Sequence, residues 1–160
     1  MPEYEIKLAK SINSATIVDL LNNVTLKLYE KNINQWKYPW DLKEIEFDIE
    51  NRNTYIVTAK GNLMLGTFSM KHLENKTWLS TIETNNLYLY RIAVLPEYHG
   101  ENIGLEIINY ACQSARVSKQ ILYLDCWAGN EKLKNFYTRA GFEVYGDFQE
   151  EDYEISVFRY

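Results

Sequence analysis

Residues 88–105 read YLYRIAVLPEYHGENIGL, and this stretch decides how the rest of the chain is read. Leu87, Leu89 and Ala93 alternate with Tyr88, Tyr90, Ile92 and Val94, which is the period of a strand. Pro96 has no N–H to offer a ladder, so the strand should stop there. Ile103, Ile107, Ile108, Ala111 and Ala115 then recur at helical spacing, which places a helix start near Asn102. A loop that opens a helix presents unpaired backbone N–H groups, backed by the positive end of the helix dipole. That is an anion site, and phosphate is its usual ligand. Gly100 and Gly104 would let such a ligand approach the backbone. The same glycines could equally do no more than shape a turn and a close helix–sheet contact, and this stretch alone leaves both readings open.

Upstream, residues 3–9 alternate and predict a first strand. Ile17, Leu21, Val24 and Leu28 form one apolar stripe, so 14–30 is expected to be a helix with Ser14 as its N-cap. Residues 33–40 are dense in aromatics and fit no period. A second helix follows, with Leu42, Ile45 and Ile49 on its buried face. Asp41 is its cap, Glu44 completes a capping box, and Trp40 and Ile45 form a hydrophobic staple. Strands are expected at 54–59 and 63–70, joined by the hairpin dipeptide Gly61-Asn62. The segment 71–84 is less regular, with Trp78 on a short extension of the meander.

Downstream, the near-continuous apolar run 121–126 suits a strand buried on both faces. Asn130 caps a short helix over about 130–140, with Leu133, Phe136, Tyr137 and Ala140 on one face. Gly141 and Phe142 supply a left-handed C-terminal cap and its apolar contact. Strands at 142–148 and 153–159 form a closing hairpin through the polar turn 149–152. The expectation is α/β (α+β): a single domain over residues 1–160, with a mixed, mostly antiparallel sheet of six to seven strands and helices on both faces.

Composition narrows the function. A length of 160 residues and a hydrophobic fraction of 46% fit one folded core. A net charge of −5 argues against nucleic acid as partner. No apolar run is long enough to span a bilayer, and the acidic N-terminus does not look like a signal peptide. Cys112 and Cys126 show neither metal nor CxxC spacing and are expected to be free thiols in the core, which points to the cytoplasm. His72 and His99 are too few for a histidine-rich metal site, so no metal is expected. Neither cysteine lies on a nucleophile elbow. With thirteen tyrosines in the chain, a tyrosine near a site means little by itself.

Two nucleotide signatures fail: there is no Walker run, and Gly100 and Gly104 do not complete a Rossmann fingerprint. Asp125, at the end of the following strand, keeps a dinucleotide-dependent oxidoreductase as a remote alternative. Two segments carry a better match. The first runs from Val94 through Pro96, His99, Gly100, Asn102 and Ile103 to Gly104. The second is residues 130–142, NEKLKNFYTRAGF. In this order, separated by a helix and a strand, they resemble the GNAT superfamily of N-acetyltransferases: its Arg/Gln-x-x-Gly-x-Gly/Ala signature and its Asn…Leu-Tyr…Gly-Phe pattern. The resemblance runs from about residue 3 to 158. Two positions depart from it: His99 stands where the family has Arg or Gln, and Asn102 replaces a glycine. Backbone N–H groups bind the phosphate, and Asn tolerates left-handed backbone, so binding is expected to survive.

The resemblance implies transfer of an acetyl group from acetyl-CoA to a primary amine by direct attack in a ternary complex. It implies cofactor contacts from Ile92, Ala93 and Val94 to pantetheine, with the Val94 N–H as oxyanion donor. It also implies contacts from His99, Gly100, Glu101, Asn102, Ile103, Gly104 and Leu105 to the pyrophosphate, and from Asn130 and Tyr137. Tyr137 stands at the family's general acid, protonating the departing thiolate. Its ordinary alternative is packing beside Phe136. For the acceptor, Gln35 and Trp36 in the aromatic loop, Trp78, and Tyr88 and Tyr90 on the central strand are candidates. Trp36 could equally plug the core. The general base is left unassigned among Glu83, Glu97 and Asp125, of which Asp125 reads first as a structural strand-end acid. The rival from another class is an acyl-CoA-binding protein without catalysis. The acceptor amine, whether small molecule or peptide, and the oligomeric state are open, with a homodimer common in the family.

Overall fold

The structure, a computed structural model, describes residues 4–73, 76, 78 and 85–160. The chain makes β1 (Glu5–Leu8), α1 (Ser14–Glu30), α2 (Leu42–Glu50), β2 (Thr54–Ala59), β3 (Leu63–Lys71), β4 (Asn86–Val94), α3 (Ile103–Ser118), β5 (Ile121–Trp127), α4 (Glu131–Arg139), β6 (Glu143–Glu150) and β7 (Tyr153–Arg159). The strands form one seven-stranded sheet in the order β1-β2-β3-β4-β5-β7-β6. β4 and β5 run parallel, while β1/β2, β2/β3, β5/β7 and β6/β7 are antiparallel. The helix connecting two parallel neighbours, α3, is what a parallel pair requires. By contacts the chain divides into two compact units, Met1–Ser69 with Arg91–Ile107, and Met70–Tyr90 with Ile108–Tyr160.

In the first unit, α1 buries Ile17, Leu20, Leu21 and Val24, and α2 buries Ile45 and Ile49, against Ile56, Met64 and Ala93. Three local expectations change. Ser14 is the first helical residue, not the cap: its Oγ donates to the Ser11 carbonyl at 2.9 Å, and Asn13 takes the cap position. Leu42 is exposed, and the buried polar residue of α2 is Asp48. Asp41 does cap α2, accepting from the Lys43 N–H at 3.0 Å. Glu44, however, turns to Arg91 instead of closing a capping box. Trp40 packs against the core as the staple requires, and its Nε1–H donates to Thr25 Oγ1 at 2.9 Å. Gly61 and Asn62 both take positive φ, 83° and 62°, the backbone of a tight hairpin.

In the second unit, Leu73, Trp78, Tyr123, Ile155 and Val157 form the core, with Tyr88, Tyr145 and Phe148 packed against it. β5 is buried at Leu122, Tyr123, Leu124 and Cys126, as its apolar run predicts. α4 begins on Asn130, whose side chain accepts from the Leu133 N–H at 3.2 Å. It ends in a Schellman cap. The Phe142 N–H reaches the Tyr137 carbonyl, the Gly141 N–H reaches Thr138, and Gly141 has φ 104°. The Phe142 ring lies 6.1 Å from that of Tyr137, the apolar contact that goes with this cap. Trp78 is buried in a turn. The rest of 74–84, apart from Lys76, lies outside the described residues, and with it the candidate base Glu83.

Candidate functional site

β4 is regular to Tyr90 and then kinks. Arg91 has φ 52°, a left-handed value in mid-strand that no glycine or asparagine announces. At this point the Arg91 side chain donates to Asp48 Oδ2 at 2.5 Å and to Glu44, and lies over the Trp40 ring at 5.3 Å. Asp48 is buried and also accepts from Asn53 Nδ2 at 3.3 Å, so a largely desolvated ion pair ties α2 to β4. Past the kink, Ala93 is buried in the core of the first unit, while Ile92 and Val94 are half-buried. β4 then stops at Pro96, which opens one turn of 3-10 helix, Pro96–Tyr98.

The loop into α3 has the backbone of an anion cradle. Gly100 has φ 91°, with no atom within 4 Å of where a Cβ would sit. Asn102 has φ 62°, the left-handed conformation that asparagine accepts. The first intrahelical bond of α3 runs from the Glu106 N–H to the Asn102 carbonyl. The N–H groups of Ile103, Gly104 and Leu105 therefore precede any intrahelical acceptor. The Ile103 side chain is core, so this residue can serve a ligand only through its backbone. His99, exposed, donates from Nε2 to the Val94 carbonyl at 2.9 Å, which ties the loop back to the strand end. Residues 98–106 contain no lysine or arginine, and their charged side chains are Glu101 and Glu106. Within this loop, the groups available to a pyrophosphate are amides and the helix dipole.

In the second unit, Tyr137 is buried between the rings of Phe136, Phe142 and Phe158, at 5.6, 6.1 and 5.6 Å. Among the described residues its hydroxyl has no hydrogen-bond partner, although the side chain is only 5% exposed. Burial, with Cys126 and Asp125 nearby, pushes the phenol well above its ordinary value, so it stays protonated throughout the neutral range. Asn130 is committed to the α4 cap. The thiols of Cys112 and Cys126 are buried and pushed up to about 11 and about 12, which makes them inert core groups.

The acceptor candidates fall in both units. In the first, Trp36 packs against the core, edge-on to Trp40 at 5.5 Å, and its carbonyl accepts from the Tyr29 hydroxyl at 2.5 Å. Trp36 is half-buried, so it packs on the core with part of its surface open. Beside it, the Oε1 of Gln35 is buried without a partner among the described residues. In the second unit, the rings of Tyr88 and Tyr90 stack at 5.4 Å and 7°. The Tyr88 hydroxyl donates to Asp125 Oδ2 at 2.7 Å, a contact the sequence did not announce. Of the other candidate bases, Glu97 is exposed in the 3-10 turn. Among the described residues no group of three His, Cys, Asp or Glu could hold a metal ion, and no helix is long and apolar enough to cross a membrane.

Comparison with known proteins gives the same answer from several sides. The chain is 23% identical over 141 residues to the uncharacterized N-acetyltransferase YesJ of Bacillus subtilis, covering 84% of this chain and 78% of that protein. Its fold matches a GNAT-family acetyltransferase from Listeria monocytogenes 4b F2365 with a TM-score of 0.82 at 21% identity, over 98% of this chain and 94% of the other. It also matches yncA from Salmonella typhimurium, described as an acetyltransferase and solved with its cofactor acetyl-CoA. There the TM-score is 0.70 at 13% identity, over 98% and 92% of the two chains. The sequence profile of the acetyltransferase (GNAT) family matches residues 19–142, so the chain belongs to the GNAT family of N-acetyltransferases.

Proposed function

We propose that residues 1–160 act as one acetyltransferase domain that moves the acetyl group of acetyl-CoA to a primary amine by direct attack in a ternary complex. The observation that carries this reading is the left-handed loop at Gly100 and Asn102, which opens α3 with its first-turn N–H groups unbonded within the helix. Acetyl-CoA supplies an activated thioester. The chain's part is to hold its pyrophosphate on the amides of the Gly100–Leu105 loop, apart from the Glu101 N–H, which the Tyr98 carbonyl takes at 3.3 Å, and to meet its pantetheine with the backbone of Ile92 to Val94. The Val94 N–H is assigned to the developing oxyanion. Tyr137 gives its proton to the departing sulfur. Its hydroxyl is protonated throughout the neutral range, so the proton is present to give, while the same burial makes the phenol a weaker acid. Gln35, Trp36, Tyr88 and Tyr90 are assigned to the acceptor. The buried, unpaired Oε1 of Gln35 suits an N–H donor.

A thermal-shift panel of acetyl-CoA, CoA, NADH, NADPH and ATP tests the first step. A ligand at 100 times its dissociation constant stabilises the fold by about 2.7 kcal/mol, roughly a 5–10 °C rise for a chain of this size. The expected result is a rise with the two CoA species alone, followed by thiol release with at least one primary amine. A rise with no thiol release from any amine would make the protein an acyl-CoA binder. A rise with NADH or NADPH alone would overturn the acetyl-transfer reading.

A further inference from the structure

The reaction as read above has an acid and no base. We propose that the Tyr88 hydroxyl, backed by the Asp125 carboxylate, takes the proton from the acceptor amine; this rests on the acetyl-transfer reading. The two groups come from parallel neighbours, β4 and β5, whose ladder runs from Asn86↔Ile121 to Tyr88↔Tyr123. Tyr88 is thus the last β4 residue in that ladder, and Asp125 lies two residues past its end on β5. There the Tyr88 hydroxyl donates to Asp125 Oδ2 at 2.7 Å. This is the tyrosine face already assigned to the acceptor, since Tyr90 stacks on Tyr88. Asp125 is also close enough to Tyr137 for its charge to act on that phenol, so the acid and the acceptor of protons lie in one electrostatic neighbourhood.

A carboxylate here has reason to accept a proton. Burial raises Asp125 above the usual carboxylate range, and Glu150 on β6 adds to the rise. The Tyr88 hydrogen bond and Lys76 oppose it. Tyr88 itself is raised well above its ordinary value by burial and by Asp125, with smaller contributions from Glu150 and Tyr153. Tyr88 therefore does not ionise by itself; it passes one proton on while receiving another. The amine arrives as an ammonium. One of its protons goes to the Tyr88 oxygen as the Tyr88 proton moves to Asp125. The freed nitrogen pair forms the C–N bond, and the C–S bond breaks. The departing sulfur takes the Tyr137 proton, and the second proton leaving nitrogen restores Tyr137. Asp125 returns its proton to solvent.

The test compares kcat against pH for wild type, Asp125→Asn, Tyr88→Phe and Asp125→Glu with tyramine, spermidine and lysine methyl ester, measuring acetyl-CoA binding separately by thermal shift. Asp125→Asn should lose about 100-fold or more in kcat, the ordinary scale of acid–base catalysis. It should also lose the acid-side limb of the profile. Tyr88→Phe should lose about tenfold or more and move that limb to higher pH, because a hydrogen bond that lowers Asp125 is gone. Asp125→Glu should recover part of the rate. Acetyl-CoA binding should hold in all three. Should Asp125→Asn fail to bind acetyl-CoA, Tyr88→Phe, which removes one oxygen, decides. Wild-type kcat and an unmoved limb in Tyr88→Phe and Asp125→Asn would overturn the proposal and leave acetyl transfer standing. No thiol release by wild type with any of the amines would overturn both. Carboxyl-carbon NMR of Asp125 in the ligand-free protein separates the cases further: its titration should move up in Tyr88→Phe, and an unchanged titration would remove the pair itself.

Discussion

The loop from Pro96 to Leu105, in the first unit, is exposed from His99 through Asn102, and the groups proposed there for a ligand are backbone groups. The segment from Asp125 to Phe142, in the second, is buried at Cys126, Asn130, Tyr137 and Phe142 and presents side chains. The role proposed for the first rests on backbone, so a change of side chain can leave it intact. His99 and Asn102 differ from the family pattern, yet the left-handed backbone at Asn102 is still made, and the loop gains a bond from His99 to the Val94 carbonyl. The second has no such latitude. The donor proposed there is one oxygen on one ring, held by three aromatic neighbours and a helix fixed at both ends.

Tyr137→Phe probes that difference with the largest expected effect. Removing the hydroxyl breaks no hydrogen bond to the described residues, so stability should hold within about 0.5 kcal/mol. Turnover should fall about 100-fold or more, while acetyl-CoA binding, proposed for the amides of the Gly100–Leu105 loop, should stay level. Equal losses in turnover and in acetyl-CoA affinity would show that the two regions do not divide the work in this way.

Much of this was legible along the chain, because it is local. The buried stripes of α1 and α3 follow from spacing alone: Ile103, Ile107, Ile108, Ala111 and Ala115 are all 1% exposed or less. Asp41, Asn130 and Gly141 cap helices because each answers to neighbours two to four residues away. The polar anchors were not legible. Arg91 meets Asp48 across 43 residues, and Tyr88 meets Asp125 across 37. Only the fold pairs them, and no periodicity encodes which acid a given arginine or tyrosine will find. Glu44 shows the same limit from the other side. Its spacing from Asp41 suits a capping box, but a guanidinium from β4 offers a stronger partner than the helix's own N–H. The kink at Arg91 was likewise not legible, since the alternation of residues 87–94 reads straight through it.

Arg91→Met sharpens the comparison from the first unit. Here a side chain, not the backbone, carries the structure. Methionine removes the cation and leaves Asp48 buried with Asn53 among its remaining partners. Breaking one side of such a pair costs about 3 kcal/mol, roughly a 6–12 °C fall in Tm for this size. The companion Asp48→Asn should cost less, because Arg91 keeps Glu44 and is partly open to water. Losses that are small and equal in both variants would mean that the kink is held by backbone packing.

The smallest effect tests the claim that the loop binds through amides alone. Glu101 is exposed and carries a negative charge inside the stretch assigned to the pyrophosphate, where no lysine or arginine offsets it. Glu101→Gln removes that repulsion and leaves the amides as they are. A charge near a helix N-terminus changes the energy of a neighbouring anion by about 0.3–1 kcal/mol at low ionic strength, so acetyl-CoA should bind roughly two- to fivefold more tightly. Salt should erase the gain, because both charges face water. The helix itself should lose a few tenths of a kcal/mol, since an acidic group beside its first turn also favours its own dipole. The two signs make the variant informative: tighter binding on a slightly weaker fold is what an amide cradle working against a nearby carboxylate requires. Weaker binding would mean that the Glu101 side chain itself holds the ligand or the loop, and the loop would then resemble the α4 region more than it differs from it.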